Sequence, residues 1–156
     1  MIIFDRIIDG IFVGTCPTNL VDVQRLKQAG ITAVLNLQSD VDFGKTRINW
    51  QAMEQHYQTS EIVVYRVKII DFDDDDLARN LPGATQILAD MIDKGHCVYV
   101  HCTAGMQRSP SVVIGYLAWN RRFGLDEAVK LVTTARNCDP PLAVLKNVDP
   151  LVSREH

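Results

Sequence analysis

The sequence predicts an α/β domain built on a mostly parallel central sheet with helices on both faces. Short β-rich apolar runs at residues 31–37, 62–70 and 97–100 alternate with longer segments whose apolar residues recur at helical spacing. Strands joined through helices run parallel, which buries both faces of the sheet and leaves the ligand site outside the carboxyl ends of the strands. The third observation is size: 156 residues with 47% apolar composition fill one core, so residues 1–156 are read as a single domain.

Taken in order, residues 7–13 read as one or two short strands turning at Asp9-Gly10. Thr18 or Asn19 caps a helix that runs to about Ala29, where Gly30 stops it. Residues 31–37 form a strand, and the polar segment 38–49 with Gly44 reads as a long loop. Residues 50–57 make no more than a short helix. Residues 62–70 alternate as a strand until the run Asp71-Phe72-Asp73-Asp74-Asp75-Asp76 breaks it, and that charge run is expected to be solvated. Leu81, Ala84, Leu88 and Met91, with Ile87 and Ile92 beside them, form a helical stripe that ends at Gly95. A buried strand at 97–100 follows. Helices are expected at 109–123, with Gly124 as its stop, at 126–136, and from 141 to about 152 after the Pro140-Pro141 break.

Composition excludes several partners. A formal charge of -3 argues against a nucleic-acid binder, whose phosphate contacts need clustered Lys and Arg. No stretch approaches a membrane span, and Asp5, Arg6 and Asp9 interrupt the start of the chain where a signal peptide would be apolar. Four cysteines without CxxC pairing imply free thiols in a reducing compartment. The expected location is the cytoplasm, or the plastid stroma if a transit peptide has been removed.

The chemistry is concentrated in His101-Cys102-Thr103-Ala104-Gly105-Met106-Gln107-Arg108-Ser109, which joins the strand at 97–100 to the next helix. A short loop at a helix N-terminus turns successive backbone N–H groups inward and makes a nest for a dianion such as phosphate. Residues Thr103, Ala104, Gly105, Met106 and Gln107 would supply that nest. At its start, Cys102 sits where converging dipoles stabilise an anionic sulfur nucleophile. Arg108 can return a planar guanidinium across the loop and grip two phosphate oxygens, which Lys cannot do. Ser109 would stabilise the sulfur as a leaving group when water breaks a phosphocysteine. His101 is expected to orient the loop. The bland alternative, a buried structural thiol and an ordinary surface Arg, does not explain the strand, the internal Gly105 and the helix that surround them.

His-Cys-x-x-Gly-x-x-Arg-Ser resembles the signature of the protein tyrosine phosphatase superfamily, and the short chain resembles its dual-specificity branch. Within that branch, Cys102-Thr103-Ala104-Gly105-Met106, Arg136-Asn137-Cys138-Asp139-Pro140-Pro141-Leu142, Gly14-Thr15-Cys16 and Ile70-Asp71-Phe72-Asp73 look most like the catalytic domain of plant starch glucan phosphatases. The resemblance implies a cysteine phosphatase fold, hydrolysis of phosphate monoesters through a phosphocysteine, and no cofactor or metal. Two residues depart from the glucan-phosphatase pattern: Gln107 where Gly is usual, and Ser109 where a small residue is common. Both lean towards phosphoprotein phosphatases, and the chain has no room for a carbohydrate-binding domain. Phosphoglucan and phosphoprotein therefore both stay open as substrates. A non-catalytic phosphate-binding module is a third reading, although a pure binder needs no nucleophile.

The departing oxygen needs a proton donor. Asp71 ends a strand and opens a polar loop, and the resemblance places the general acid there, with Asp73 as the alternative. A divalent metal on the Asp cluster is the weaker reading. Carboxylates beside the phosphate site repel multiply phosphorylated ligands, and the loop lacks the lysines of lipid phosphatases, so inositol lipids are disfavoured. Phe43, Trp50 and Phe72 could form a stacking platform for sugar or phenyl rings. For Trp50, the buried side of a short helix is an equal alternative. Gln107 either reaches the entrance of the phosphate site or positions the attacking water.

Overall fold

A computed structural model describes residues 1–150. Its five-stranded sheet is built from β1 (Phe4–Ile8), β2 (Ile11–Gly14), β3 (Ala33–Asn36), β4 (Val63–Arg66) and β5 (Val98–His101). The strand order is β1-β2-β5-β3-β4. Only the β1–β2 hairpin, turning at Asp9-Gly10, is antiparallel; β2, β3 and β4 join the rest of the sheet in parallel.

Side chains alternate across the sheet as the strand period of two demands. Ile11, Val13, Ala33, Leu35, Val98 and Val100 face one core, with Leu81, Leu88, Val112, Val113, Ala128 and Val132 from the helices that cover it. Those helices are α4 (Asp74–Asp93), α5 (Arg108–Trp119) and α6 (Leu125–Ala135), followed by α7 (Leu142–Asn147). Val34 and Tyr99 face a second core with Val23, Leu26, Met53 and Tyr57, supplied by α1 (Leu20–Gln28) and α3 (Trp50–Thr59). Both faces are covered, so the central strands β3 and β5 are buried at every residue.

Four expectations change. The segment read as a long loop at 38–49 contains the helix α2 (Asp40–Thr46), started by a capping box in which Ser39 and Asp42 satisfy each other's backbone N–H groups. The strand expected over 62–70 is a regular strand only at Val63–Arg66; beyond it Val67 N–H still donates to Asn36 O and Ile69 N–H to Leu37 O before the chain reaches Asp71. The acidic run is more than a solvated break: Asp73 caps α4, and Asp74, Asp75 and Asp76 fill its first turn, where carboxylates complement the helix dipole. Within that run, Asp76 accepts from Ile70 N–H and pairs with Arg79. The helix expected to end at Phe123 stops at Trp119, and the helix expected from 141 runs over Leu142–Asn147; its expected end near 152 lies outside the described residues.

Candidate active site

The carboxyl ends of the parallel strands converge on the loop between β5 and α5. Two glycines let them approach. A Cβ on Gly14, at the end of β2, would lie 2.5 Å from Ile3 O and from Tyr99 Oη, and one on Gly105 would lie 2.6 Å from Gly14 O. Gly105 also has φ of +67°, in the region glycine tolerates best. Cys16 N–H, just past Gly14, donates to Thr103 O at 3.0 Å and ties the loop to the hairpin.

Cys102 is buried, and its Sγ lies 3.3 Å from Ser109 Oγ in the first turn of α5. Among the described residues, none accepts from the backbone N–H groups of residues 103–107, which leaves them for a ligand. His101 Nδ1 lies 2.8 Å from Cys102 O; a carbonyl can only accept, so that nitrogen carries the proton. Complete burial, opposed in part by this bond, lowers the imidazole to about 4, so the ring is neutral.

Arg108 is almost wholly buried, and its two edges differ. Nη1 donates to Asp42 Oδ2 at 2.6 Å and to Ile69 O at 2.9 Å. Among the described residues, Nη2 has only longer contacts, 3.3 Å to Asp71 Oδ2 and 3.5 Å to Thr103 Oγ1, and the buried Nε has no partner. One edge is therefore fixed and the other, Nε with Nη2, is available to an anion. Burial works to raise the Asp42 carboxyl, but the bonds from Arg108 and Ser39 N–H and the guanidinium charge outweigh it and hold it below the usual carboxylate range.

Asp71, Phe72, Cys102, Ala104, Met106, Gln107, Arg108 and Asp139 line a cavity of about 230 Å³. The sequence assigns seven of these eight to the site; Asp139 enters there only as part of the tail segment that resembles glucan phosphatases. A wider groove adjoins it through Asp71, Phe72 and Gln107, walled by Asp73, Asp74, Asp75 and Pro141. Phe72 is 85% exposed at the junction, in a left-handed backbone conformation with φ of +58°. Asp73, the alternative acid, is occupied as the α4 cap, accepting from Asp76 N–H at 2.9 Å.

Phe43 and Trp50 do not line this cavity. Their rings stack on each other at 5.2 Å, Arg66 covers Phe43 at 4.3 Å, and Trp50 packs against the second core, so of the three expected platform aromatics Phe72 is the one that borders the cavity. Thr103 Oγ1 accepts from Gln38 Nε2 at 2.9 Å and lies 3.5 Å from Arg108 Nη2, so its side chain joins Gln38 to the Arg108 edge. Gly105 is buried in the loop and lends backbone alone.

Sequence reasoning missed Asp42, Gln38 and Arg136. Arg136, at the end of α6, donates to Gly105 O and Ala104 O and pairs with Asp5. Its place at the head of the glucan-phosphatase-like tail segment was the available signal. For Asp42 it was the Ser39-x-x-Asp42 capping pattern.

Residues 11–143 match the family model described as dual specificity phosphatase, catalytic domain. The chain is 36% identical over 137 residues to "Phosphoglucan phosphatase LSF1, chloroplastic" of Arabidopsis thaliana, covering 88% of this chain and 23% of that protein. It is 32% identical over 139 residues to "Phosphoglucan phosphatase DSP4, amyloplastic" of Castanea sativa, covering 88% of this chain and 37% of that one. The chain thus spans about a quarter to two-fifths of the length of these relatives. Among solved structures, that of PTPMT1 superposes with a TM-score of 0.75 at 20% identity, covering 98% of this chain and 95% of that one, a likeness of fold.

Proposed function

The chain belongs to the dual-specificity phosphatase family, and from that premise we propose that it hydrolyses phosphate monoesters through a phosphocysteine on Cys102. The observation that carries this reading is the divided Arg108: one edge locked by Asp42 and Ile69 O, the other open beside Cys102 Sγ. A substrate phosphate seats its oxygens on the free N–H groups of the loop and on Nε and Nη2 of Arg108, replacing the 3.3 Å contact to Asp71. The sulfur then attacks phosphorus in line with the ester oxygen. The phosphorus–oxygen bond breaks, and Asp71 gives its proton to the leaving oxygen. In the second step water attacks the phosphocysteine, Asp71 takes the proton, and the sulfur leaves with Ser109 Oγ 3.3 Å away to stabilise it. His101 holds the Cys102 carbonyl outward and takes no part in proton transfer.

For the substrate, we take phosphorylated glucan first. The names of the two plant relatives support it, and so does an exposed Phe72 at the mouth of a narrow cavity, where a flat sugar face can stack. The same names accord with the plastid stroma among the two expected compartments, and no helix among the described residues is long and apolar enough to cross a membrane. Gln107 and Ser109 favour the second reading, a phosphoprotein substrate, because both depart from the glucan-phosphatase pattern. Phosphate release from phosphorylated amylopectin and from a phosphopeptide set separates the two. On the first reading amylopectin is a substrate, and Phe72→Ala lowers that activity several-fold while an aryl phosphate loses little, since stacking contributes on the order of 1 kcal/mol per ring. Release from phosphopeptides alone would transfer the assignment to the second.

A further inference from the structure

A loop that turns its N–H groups inward must turn its carbonyls outward, and buried carbonyls need donors. Every carbonyl from Cys102 to Gln107 has one. His101 Nδ1 serves Cys102 O, Cys16 N–H serves Thr103 O, Asp139 N–H serves Met106 O at 2.9 Å, and Ser111 serves Gln107 O from both N–H and Oγ. The two carbonyls at the apex share a single side chain. Arg136 Nε donates to Gly105 O at 2.8 Å and Nη2 to Ala104 O at 3.1 Å, while Nη1 lies 2.9 Å from Asp5 Oδ2 on β1.

We propose that Arg136, aimed by Asp5, is a positioning residue for phosphate binding. A peptide group is planar and trans, so its C=O and N–H point in opposite directions. Drawing Ala104 O and Gly105 O outward therefore aims Gly105 N–H and Met106 N–H inward, at the place a phosphate would occupy. The fit is close: a Cβ at Gly105 would stand 2.8 Å from Arg136 Nη2, so guanidinium and loop apex are in register. The guanidinium is 7% exposed behind the anion site, whereas its counter-ion Asp5 is 44% exposed on the side away from the loop. A fixed positive charge thus backs the two apex N–H groups. Lysine would carry the charge but not the fork that reaches two carbonyls and a carboxylate at once.

This inference rests on the phosphatase reading, and its test separates the two. Wild type, Arg136→Met, Arg136→Lys and Asp5→Asn are compared for binding of inorganic phosphate by calorimetry, for kcat and KM on an aryl phosphate, and for thermal midpoint. Arg136→Met should bind phosphate at least about tenfold more weakly, with KM rising alongside, and Arg136→Lys should recover less than half of that loss on a logarithmic scale. Asp5→Asn should weaken phosphate several-fold with little change in midpoint. If Arg136→Met does not fold, the Lys and Asn variants decide by the same criteria. Wild-type phosphate affinity in folded Arg136 and Asp5 variants overturns the proposal, as does full recovery by Lys, which would leave charge alone as the cause. A wild type that binds phosphate in an Arg136-dependent way yet releases none from any ester would keep this inference and remove the catalytic one.

Discussion

Burial of His101 places a neutral imidazole directly behind the proposed nucleophile, with a consequence for stability in acid. Its folded value near 4 lies below the unfolded value of about 6.5, so the unfolded chain binds more protons between those limits. Stability is therefore complete above about pH 6.5 and falls as pH drops towards 4, by on the order of 3 kcal/mol from this residue. Urea unfolding across that range should show the decline, and His101→Asn should flatten it. A wild-type profile that is level from pH 7 to 4.5 would contradict the neutral buried ring. Asp71 is tested by leaving group. Asp71→Asn should slow alkyl and sugar phosphates severely and activated aryl phosphates much less, because a good leaving group needs no proton. Equal losses on both classes, or this pattern in Asp73→Asn instead, would remove Asp71 as the acid. The candidate phosphate-binding loop is legible in the sequence because it is one contiguous stretch of chain, Cys102 to Ser109, whereas the proposed acid Asp71 lies outside it. Asp42, Gln38 and Arg136 reach that stretch from remote positions, and no local pattern states which loop a buried Arg or Asp will meet.

Helix α2 shows the same limit one level up. It has seven residues, contains Gly44, and buries little beyond Asp42 and Phe43, so its apolar periodicity is too brief to outweigh its polar composition. Yet it carries the carboxylate that fixes Arg108. Asp42→Asn keeps the shape and removes the charge, leaving the guanidinium 3% exposed and unpaired on its locked edge. The expected cost is about 3 kcal/mol of stability, together with a raised KM as Arg108 loses its orientation. Chemical denaturation and steady-state kinetics on the folded fraction check both; a variant as stable as wild type with unchanged KM would show that Ile69 O alone orients the Arg. In wild type the lowered Asp42 carboxyl adds a second acid sensitivity: its contribution is present above the unfolded value near 3.9 and is lost as pH falls through the lower folded value. The sequence reads the acidic run at 71–76 as a break, although β4 already ends at Arg66. The run's use in capping α4 through Asp73 follows the ordinary N-cap rule, but the number of adjacent aspartates concealed which one caps.

Across the molecule, the alternation of strands and helices gave the parallel sheet, and the sheet places β5 between β2 and β3 so that its carboxyl end, at His101, is central. What the pattern could not give is the order in which strands pair, since that depends on contacts between distant segments. The order matters to the site: β2 brings Gly14 and Cys16 beneath the loop, β3 leads into Gln38 and Asp42, and the chain after β4 brings Ile69 O and Asp71 to Arg108. Four segments far apart in sequence thus meet at one rim. The step on which the proposed activity turns is transfer of the phosphoryl group to Cys102 and from there to water. Its most direct test is to quench wild type in acid during turnover of an aryl phosphate and to map the digested protein by mass spectrometry. A phosphoryl group is expected on the peptide holding Cys102 and none on that of Cys102→Ser, which should bind phosphate but not turn over. Sustained turnover by Cys102→Ser, or rapid wild-type turnover with no phosphorylated Cys102 peptide at any quench time, would contradict it.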